Sequence, residues 1–193
     1  YNKKYPNIFT ILDREKNVGG KQNFIEVHSL ATGKYVIDFE TDDYWLDELK
    51  LKKQVEWLET HPNIIGVTHL CKMVGKFNEQ LFLKYPSIKG GYYRWKDFEN
   101  DIMPGQTATL LYRNFYHYPI IENYDLYSNK SHSIGPGDRK KYFVLNCYGK
   151  IYCIPEYMSA YRFVPDSGSS YAATHKSNFE DEINYYQEFL NYA

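Results

Sequence analysis

Cysteine, net charge and long apolar runs are all scarce in this sequence. Three cysteines in 193 residues, with no Cys-x-x-Cys spacing, argue against a disulfide framework and favour a reducing compartment. The formal net charge of −1 lacks the basic surplus of nucleic-acid-binding proteins, so we expect no nucleic-acid partner. No apolar run reaches the roughly 18 residues of a membrane-spanning helix, and no signal-peptide pattern is visible. The sequence therefore predicts a soluble chain.

The length and the aromatic content set looser bounds. A chain of 193 residues is long enough for one well-buried domain and short for two. Its 21 tyrosines offer faces on which sugar rings can stack, but tyrosine also fills interfaces and half-wet cores. The tyrosines alone therefore do not decide between a sugar-binding surface and ordinary packing.

The hydrophobic pattern predicts an α/β fold. Short apolar, β-branched runs alternate with stretches of helical period, which is typical of a mostly parallel central sheet flanked by helices. The expected strands are 8–12, 35–39, 64–70, 106–112 and 151–154, and the expected helices are 21–31, 47–60, 139–148 and 178–192. Residues 75–104 have no clear period and are expected to form loops or short helices.

A cluster of acids follows the second expected strand. Glu40, Asp42 and Asp43 stand within four residues, where their charges repel unless a cation lies between them. Hard oxygen ligands at a strand end suit Mg²⁺ or Mn²⁺ together with a substrate phosphate. The alternative is a polar strand-to-helix turn capped by Asp43 or Asp47.

A resemblance to a known family covers roughly residues 8 to 170. Its segments keep one order and spacing along the chain: Glu15 to Asn23, Gly33 to Trp45, Lys50 to Pro62, Gly137-Asp138, and Gly149 to Arg162. They resemble the bacterial family 2 glycosyltransferases of the GT-A type. The resemblance implies inverting transfer of a sugar from a nucleotide-sugar, with a UDP-linked donor expected, to a glycan or lipid-linked acceptor. It also implies Mn²⁺ or Mg²⁺ as cofactor.

The resemblance also implies roles for individual residues. Asp138 matches the family's general base, although Gly-Pro-Gly-Asp is equally a turn and helix cap. Glu40, Asp42 and Asp43 match the metal and donor motif, with Glu40 in place of the usual aspartate. The further donor-binding residues implied are Asn17, Gly19, Gly20, Asn23 and Arg162, and the acceptor-binding residues are Trp45, Thr109 and Tyr161. Val164 stands where many members have a histidine, so no histidine metal ligand is carried over.

The family also implies an organisation and a setting. We expect a single domain over residues 1–193, in which about 1–70 is the remainder of the nucleotide-sugar-binding half and about 75–193 is the acceptor and catalytic half. An opening nucleotide-binding strand has no match here, so the domain is expected to be incomplete at its N-terminus. Family habit implies a cytoplasmic enzyme of cell-envelope polysaccharide synthesis, with peripheral association at the inner face of the membrane. The alternative is a catalytically inactive nucleotide- or carbohydrate-binding domain on the same fold.

Overall fold

The computed structural model describes residues 4–114, 137–165 and 179–192. Its elements, in chain order, are helix α1 (Gly19–Ser29), strands β1 (Tyr35–Ile37) and β2 (Tyr44–Trp45), helix α2 (Lys50–Thr60), strands β3 (Ile64–Val74) and β4 (Gly91–Tyr92), helix α3 (Trp95–Glu99), a 3₁₀ turn (Thr107–Thr109), strand β5 (Leu111–Arg113), helix α4 (Gly137–Tyr148), strand β6 (Lys150–Arg162) and helix α5 (Phe179–Tyr192).

Six strands of the described ranges form one mixed sheet. Its order is β1-β5-β3-β6-β2, with β4 paired to β6. The long central pair β3 and β6 is parallel, whereas β5 is antiparallel to both β1 and β3. The α/β fold compatible with the GT-A type is thus confirmed, but the sheet is mixed and not strictly parallel.

Helices cover both faces of this sheet. Neighbouring residues of a strand point to opposite faces, so Leu110 joins one core cluster and Leu111 the other. The first cluster packs on α4 through Val144 and Leu145, and the second packs on α2 through Leu58. The central strand β3 is apolar on both faces because both are covered.

Helix α2 shows how the sequence sets this packing. Lys50, Gln54 and Leu58 recur every four residues and form its buried face. Lys52 and Glu56 lie on the exposed side, with 3.9 Å between their charged atoms. The helix ends shortly before Pro62, which disfavours helical geometry in the residue preceding it.

Most predicted elements are present, and three of the expected strands need correction. The expected strand 8–12 is irregular chain, and both Ile8 and Ile11 are exposed. The expected strand 106–112 divides into the 3₁₀ turn and β5. The expected strand 151–154 lengthens into β6, and a register shift in β3–β6 pairing falls where Pro155 lacks a backbone donor.

The architecture brings several loops to one edge. Strands β1, β3 and β6 run in the same direction, so their carboxyl ends share an edge of the sheet. The antiparallel β5 starts at that edge, and the segment before it touches the start of α4. Within the described ranges, no helix is long and apolar enough to span a membrane.

Candidate active site

The predicted acid cluster lies at the carboxyl edge of the sheet, directly after β1. A turn closes the loop, since the Asp43 backbone N–H donates to the Glu40 carbonyl at 3.2 Å. Asp43 is only 5% exposed. Its carboxylate accepts a hydrogen bond from Gln106 Nε2 at 2.9 Å and another from the backbone N–H of Arg162 at 2.9 Å. Burial nevertheless raises the pKa of Asp43 to about 6.

Glu40 and Asp42 differ from Asp43 because their side chains reach solvent. Among the described residues, no hydrogen bond or ion pair engages either carboxylate. Desolvation by the surrounding protein, together with the charges of Asp138, Asp43 and Asp42, raises the pKa of Glu40 to about 7. Glu40 therefore lies in an unbalanced negative field that a cation would relieve.

Asp138 joins this cluster from a distant part of the chain. It lies in the first turn of α4, where a carboxylate complements the helix dipole. The hydroxyl of Thr107 donates a hydrogen bond to Asp138 Oδ2. Of the neighbouring charges that raise the pKa of Glu40, the charge of Asp138 has the largest effect. The structure thus brings the predicted base beside the predicted metal-binding acids.

Two tyrosines complete the wall of the cluster. Burial, together with the charges of the nearby acids, raises the pKa of Tyr161 to about 12; these acids are Glu40, Asp43, Asp42 and Asp138. The ring of Tyr85 meets Tyr161 edge-on, with 5.8 Å between centroids. Tyr161 therefore lies at the acids as the sequence predicted. Tyr85 was not predicted, because it falls in the segment without a clear period.

Arg162 braces the loops around the acids. Its Nε donates to the carbonyl of Asp42 at 3.0 Å. One terminal nitrogen donates to the carbonyls of Gly75 and Lys76, and the other donates to Asn78 Oδ1 at 2.7 Å. The guanidinium therefore ties the acid cluster to the turn after β3. The described hydrogen bonds of the Arg162 side chain are thus made within the protein, and the donor-binding role of Arg162 stays a prediction.

A buried polar network lies one turn below Asp138 and two residues before Glu40. Lys141 of α4 donates to Asp38, and His28 of α1 contacts the same carboxylate with its Nε2 at 2.7 Å from Oδ1. Burial alone would raise the pKa of Asp38, but the hydrogen bond from His28 and the charge of Lys141 hold it well below its usual range. The network fixes α1 and α4 against the end of β1.

The two other predicted acceptor-binding residues, Trp45 and Thr109, differ in their exposure to solvent. Trp45 is 39% exposed, but Lys50 Nζ lies 4.6 Å from its ring centroid and covers one face. Thr109 is fully buried, and its hydroxyl donates to the carbonyl of Gln106 at 2.6 Å. Thr107, two positions earlier, is the threonine that reaches Asp138, because residues two apart on a turn of three residues point in different directions.

The predicted donor segment forms the start of α1. The Asn17 side chain accepts a hydrogen bond from the Gly19 backbone N–H at 2.8 Å, and Gly19 has a φ of +80°, which favours glycine. A Cβ added at Gly19 or Gly20 would meet no described atom within 4 Å. Asn23 accepts a hydrogen bond from Arg14. No contact between described residues joins this segment to the acid cluster, so its donor role stays a prediction.

The carboxylate oxygens of the acid cluster suit a hard cation, although the cluster is not a formed metal centre. Within the described ranges, no three histidine, cysteine, aspartate or glutamate side chains converge on a common point. Asp43 already accepts two hydrogen bonds, which leaves Glu40 and Asp42 as the carboxylates free to take a metal. These oxygens are the kind that Mg²⁺ and Mn²⁺ prefer.

Sequence reasoning missed the residues that hold the acids in place. These are Asp38, His28 and Lys141 below the cluster, and Gln106 and Thr107 beside it. Each acts through a partner at least 10 residues away in the chain, and most through one far more distant. Local spacing carries no signal for such pairs. The only available hint was the polar run Gln106-Thr107 between apolar segments.

Comparison with known proteins places the chain in a family. A model of the family described as "Glycosyl transferase family 2" matches residues 1–118, more than half of the chain. Three proteins described as uncharacterized are 30% identical to this chain over 171 residues. One is from Mycobacterium bovis, and the others are from two strains of Mycobacterium tuberculosis. The match covers 84% of this chain and 44% of each relative, so the chain spans less than half the length of the curated relatives it matches.

The family match includes the start of α1, the acid cluster and the 3₁₀ turn with Thr107. Asp138 and Arg162 lie beyond it and are joined to it by the hydrogen bonds described above. With a family model matching most of its length, the chain belongs to glycosyl transferase family 2.

Proposed function

We propose that this chain carries the reaction centre of an inverting glycosyltransferase. Its donor would be a nucleotide-sugar, with UDP as the expected nucleotide, and its acceptor a hydroxyl of a glycan or lipid-linked glycan. The single observation that carries the proposal is the position of Asp138 beside Glu40, Asp42 and Asp43, because transfer needs a base for the acceptor and a counter-charge for the departing diphosphate.

Asp138 acts as the general base in this proposal. It takes the proton from the acceptor hydroxyl while that oxygen attacks the anomeric carbon. The bond from the anomeric carbon to the diphosphate breaks on the opposite face, and the nucleoside diphosphate leaves with the electron pair. Thr107 donates to one carboxylate oxygen of Asp138 and so fixes the direction of the other.

Glu40 and Asp42 hold the cofactor in this proposal, and Asp43 holds the loop. A bound Mg²⁺ or Mn²⁺ would supply Lewis-acid stabilisation of the leaving diphosphate. Asp43 is assigned the supporting role because Gln106 and the Arg162 backbone already occupy its oxygens. Arg162 holds the Asp42 carbonyl in place, and so supports binding of the nucleotide-sugar indirectly in this proposal.

The remaining assignments follow the family. Residues 1–70 serve the nucleotide-sugar, with Asn17, Gly19, Gly20 and Asn23 along the open start of α1. Residues from about 75 onward serve the acceptor, with Tyr161 and Trp45 at its edge. A cytoplasmic setting, at the inner face of the membrane, suits an enzyme of cell-envelope polysaccharide synthesis.

A second candidate is a nucleotide-binding domain without turnover on the same fold. Two observations favour it: Glu40 replaces the family's usual aspartate, and the described carboxylates do not converge as a metal centre. Such a domain would bind a nucleotide but release no diphosphate from a donor sugar.

A thermal-shift panel tests the proposal. UDP, GDP, CDP and TDP are added with and without Mn²⁺ to the wild-type chain and to Asp42→Asn. We expect a metal-dependent rise in Tm with one nucleotide, because a ligand that binds only the folded state stabilises it. The rise should be lost in Asp42→Asn and kept in Glu48→Gln, a nearby exposed carboxylate.

The outcomes separate the two candidates. No shift with any nucleotide would contradict both. A shift without release of nucleoside diphosphate, measured with the matching donor and a range of acceptor glycans, would favour the binding domain. A shift in Asp42→Asn equal to that of wild type would remove Asp42 from the donor site.

A further inference from the structure

The segment 72–89 presents large apolar side chains to solvent. Phe82 is fully exposed, Phe77 is 82% exposed and Leu83 is 54% exposed. All three belong to the turn that follows β3 or to the chain directly after it, and Phe82 and Leu83 line one cavity. The hydrophobic effect penalises the exposure of large apolar side chains. Three of them within seven residues therefore indicate a surface that is covered by a binding partner in the functional state. We call residues 72–89 the apolar–lysine surface.

Lysines surround these apolar side chains. Lys72, Lys76, Lys84 and Lys89 are all exposed, and the segment contains a single acid, Glu79. The Glu79 carboxylate accepts a hydrogen bond from the Phe77 backbone N–H at 2.8 Å and so is turned into the loop. The surface therefore presents positive charge around an apolar centre, although the chain as a whole carries a net charge of −1.

The turn that carries Phe77 is held in a defined conformation. The Gly75 N–H donates to the Glu79 carbonyl at 2.9 Å, and the Leu81 N–H donates to Met73 at 2.9 Å. Asn78 adopts a φ of 67°, which asparagine tolerates in tight turns. The exposed rings thus project from a hydrogen-bonded hairpin.

Two contacts join this surface to the candidate active site. Arg162 holds the carbonyls of Gly75 and Lys76 and, with its Nε, the carbonyl of Asp42. Tyr85 lines a cavity of about 300 Å³ together with Phe82 and Tyr157. The same Tyr85 packs against Tyr161 at the acid cluster. Tyr85 therefore links the cavity beside the apolar side chains to Tyr161 at the acid cluster.

We propose that the apolar–lysine surface docks on an anionic lipid bilayer. The rings of Phe77 and Phe82 enter the acyl boundary, and the four lysines lie at the level of the lipid phosphates. Each lysine near an anionic membrane surface adds attraction that salt screens. Because Arg162 ties Asp42 to Gly75 and Lys76, it would hold the acid cluster at a fixed distance from the lipid surface. Resting on the proposed transferase function, this geometry selects a lipid-linked acceptor over a free glycan.

The composition of the surface favours lipid over a protein partner. The centres of protein interfaces are enriched in aromatic residues, phenylalanine included, and in arginine, but they are depleted in lysine. This surface has four lysines and no arginine around phenylalanine and leucine, the combination found where helices and loops lie in a bilayer interface.

Vesicle co-sedimentation tests the proposal without any nucleotide. The wild-type chain is mixed with phosphatidylcholine vesicles, with and without phosphatidylglycerol, at low and high salt. We expect binding only to the anionic vesicles, and weaker binding in high salt. Phe77→Ser/Phe82→Ser should weaken it by roughly tenfold to a hundredfold. Lys76→Ser/Lys84→Ser should weaken it by roughly tenfold.

Matched controls come from exposed residues elsewhere. Phe179→Ser removes an exposed ring of α5, and Lys52→Ser removes an exposed lysine of α2. Both should bind vesicles like the wild type. Failure of the wild type to bind anionic vesicles, or equal binding by the Phe77→Ser/Phe82→Ser variant, would overturn the proposal.

Two further readouts keep the alternatives apart. Sedimentation of the wild type as a dimer without lipid, lost in Phe77→Ser/Phe82→Ser, would make the surface an interface between copies and overturn bilayer docking. The nucleotide thermal shift of the same variant tests the donor site separately. Vesicle binding with no nucleotide shift would leave the docking surface standing and remove the transferase proposal.

Discussion

Asp138 is the residue on which the proposed chemistry depends most. In Asp138→Asn the side chain keeps its shape but loses the ability to take a proton, so turnover should fall by roughly 100-fold or more. The metal-dependent rise in Tm with nucleotide should stay close to that of the wild type, because Glu40 and Asp42, the carboxylates proposed to hold the metal, are unchanged. Release of nucleoside diphosphate from the donor, measured at saturating donor and acceptor, checks this expectation.

A carboxylate on the adjacent surface provides the control. Asp101, whose side chain is 64% exposed, forms an ion pair with Arg139, the residue after Asp138. Asp101→Asn should change turnover by less than about threefold, since solvent screens the Asp101 carboxylate. If Asp138→Asn turned over at the rate of the wild type, Asp138 would not be the base.

At the scale of elements, the buried pair of Asp38 and Lys141 joins β1 to α4. The Lys141 side chain is 3% exposed, so its removal leaves a largely buried carboxylate without its lysine counter-charge, in contact with His28 Nε2 and the Tyr112 hydroxyl. We expect Lys141→Met to lower the free energy of unfolding by roughly 3 kcal/mol. Urea denaturation followed by circular dichroism measures the change.

Two comparisons show whether the loss comes from burial. The double variant Asp38→Leu/Lys141→Met replaces the whole pair by apolar groups and should be more stable than Lys141→Met alone. Lys34→Met breaks the exposed ion pair with Glu59 and should lower stability far less than Lys141→Met, because solvent screens an exposed pair. A Lys141→Met variant as stable as Lys34→Met would show that the buried pair does not hold α4 in place.

At the scale of the whole molecule, the sequence predicted the parts that depend on local pattern. The helices α2 and α4 and the central strands follow from periodicity, and the acid cluster lies at a strand end as expected. Strand direction was not predictable, because β5 pairs with residues far along the chain. The expected strand 8–12 has the right residues, but no described strand pairs with it.

The candidate site divides in the same way. Its acids were found from motif and resemblance, since those residues are close in sequence. Their supports were not found, because Asp43 meets Gln106 and Asp38 meets Lys141 only after the sheet has formed. The exposed rings after β3 were equally hidden, since sequence does not tell an exposed phenylalanine from a core one.

The coupling of the helices to one central sheet makes a single buried charge visible in the stability of the whole chain. Lys50 is fully buried between α2 and the sheet, with Nζ donating to Gln54 Oε1 at 2.8 Å. Burial lowers the pKa of Lys50 to about 7. Between about pH 7 and pH 10 the unfolded chain therefore holds this proton more tightly than the folded chain, and stability rises with pH.

The Lys50→Met variant isolates this contribution. Lacking the titrating group, it should have its full advantage over the wild type at and below about pH 7, where folding must bury or discharge the lysine, and the advantage should shrink steadily and vanish near pH 10. Thermal melts of both proteins across this range measure the difference in Tm, in which the effects of all other groups cancel. Lys52→Met, which removes an exposed lysine of the same helix, should follow the wild type at every pH. A constant difference between Lys50→Met and the wild type would mean that Lys50 is not held near neutrality, and that its contact with Gln54 stabilises the charged form.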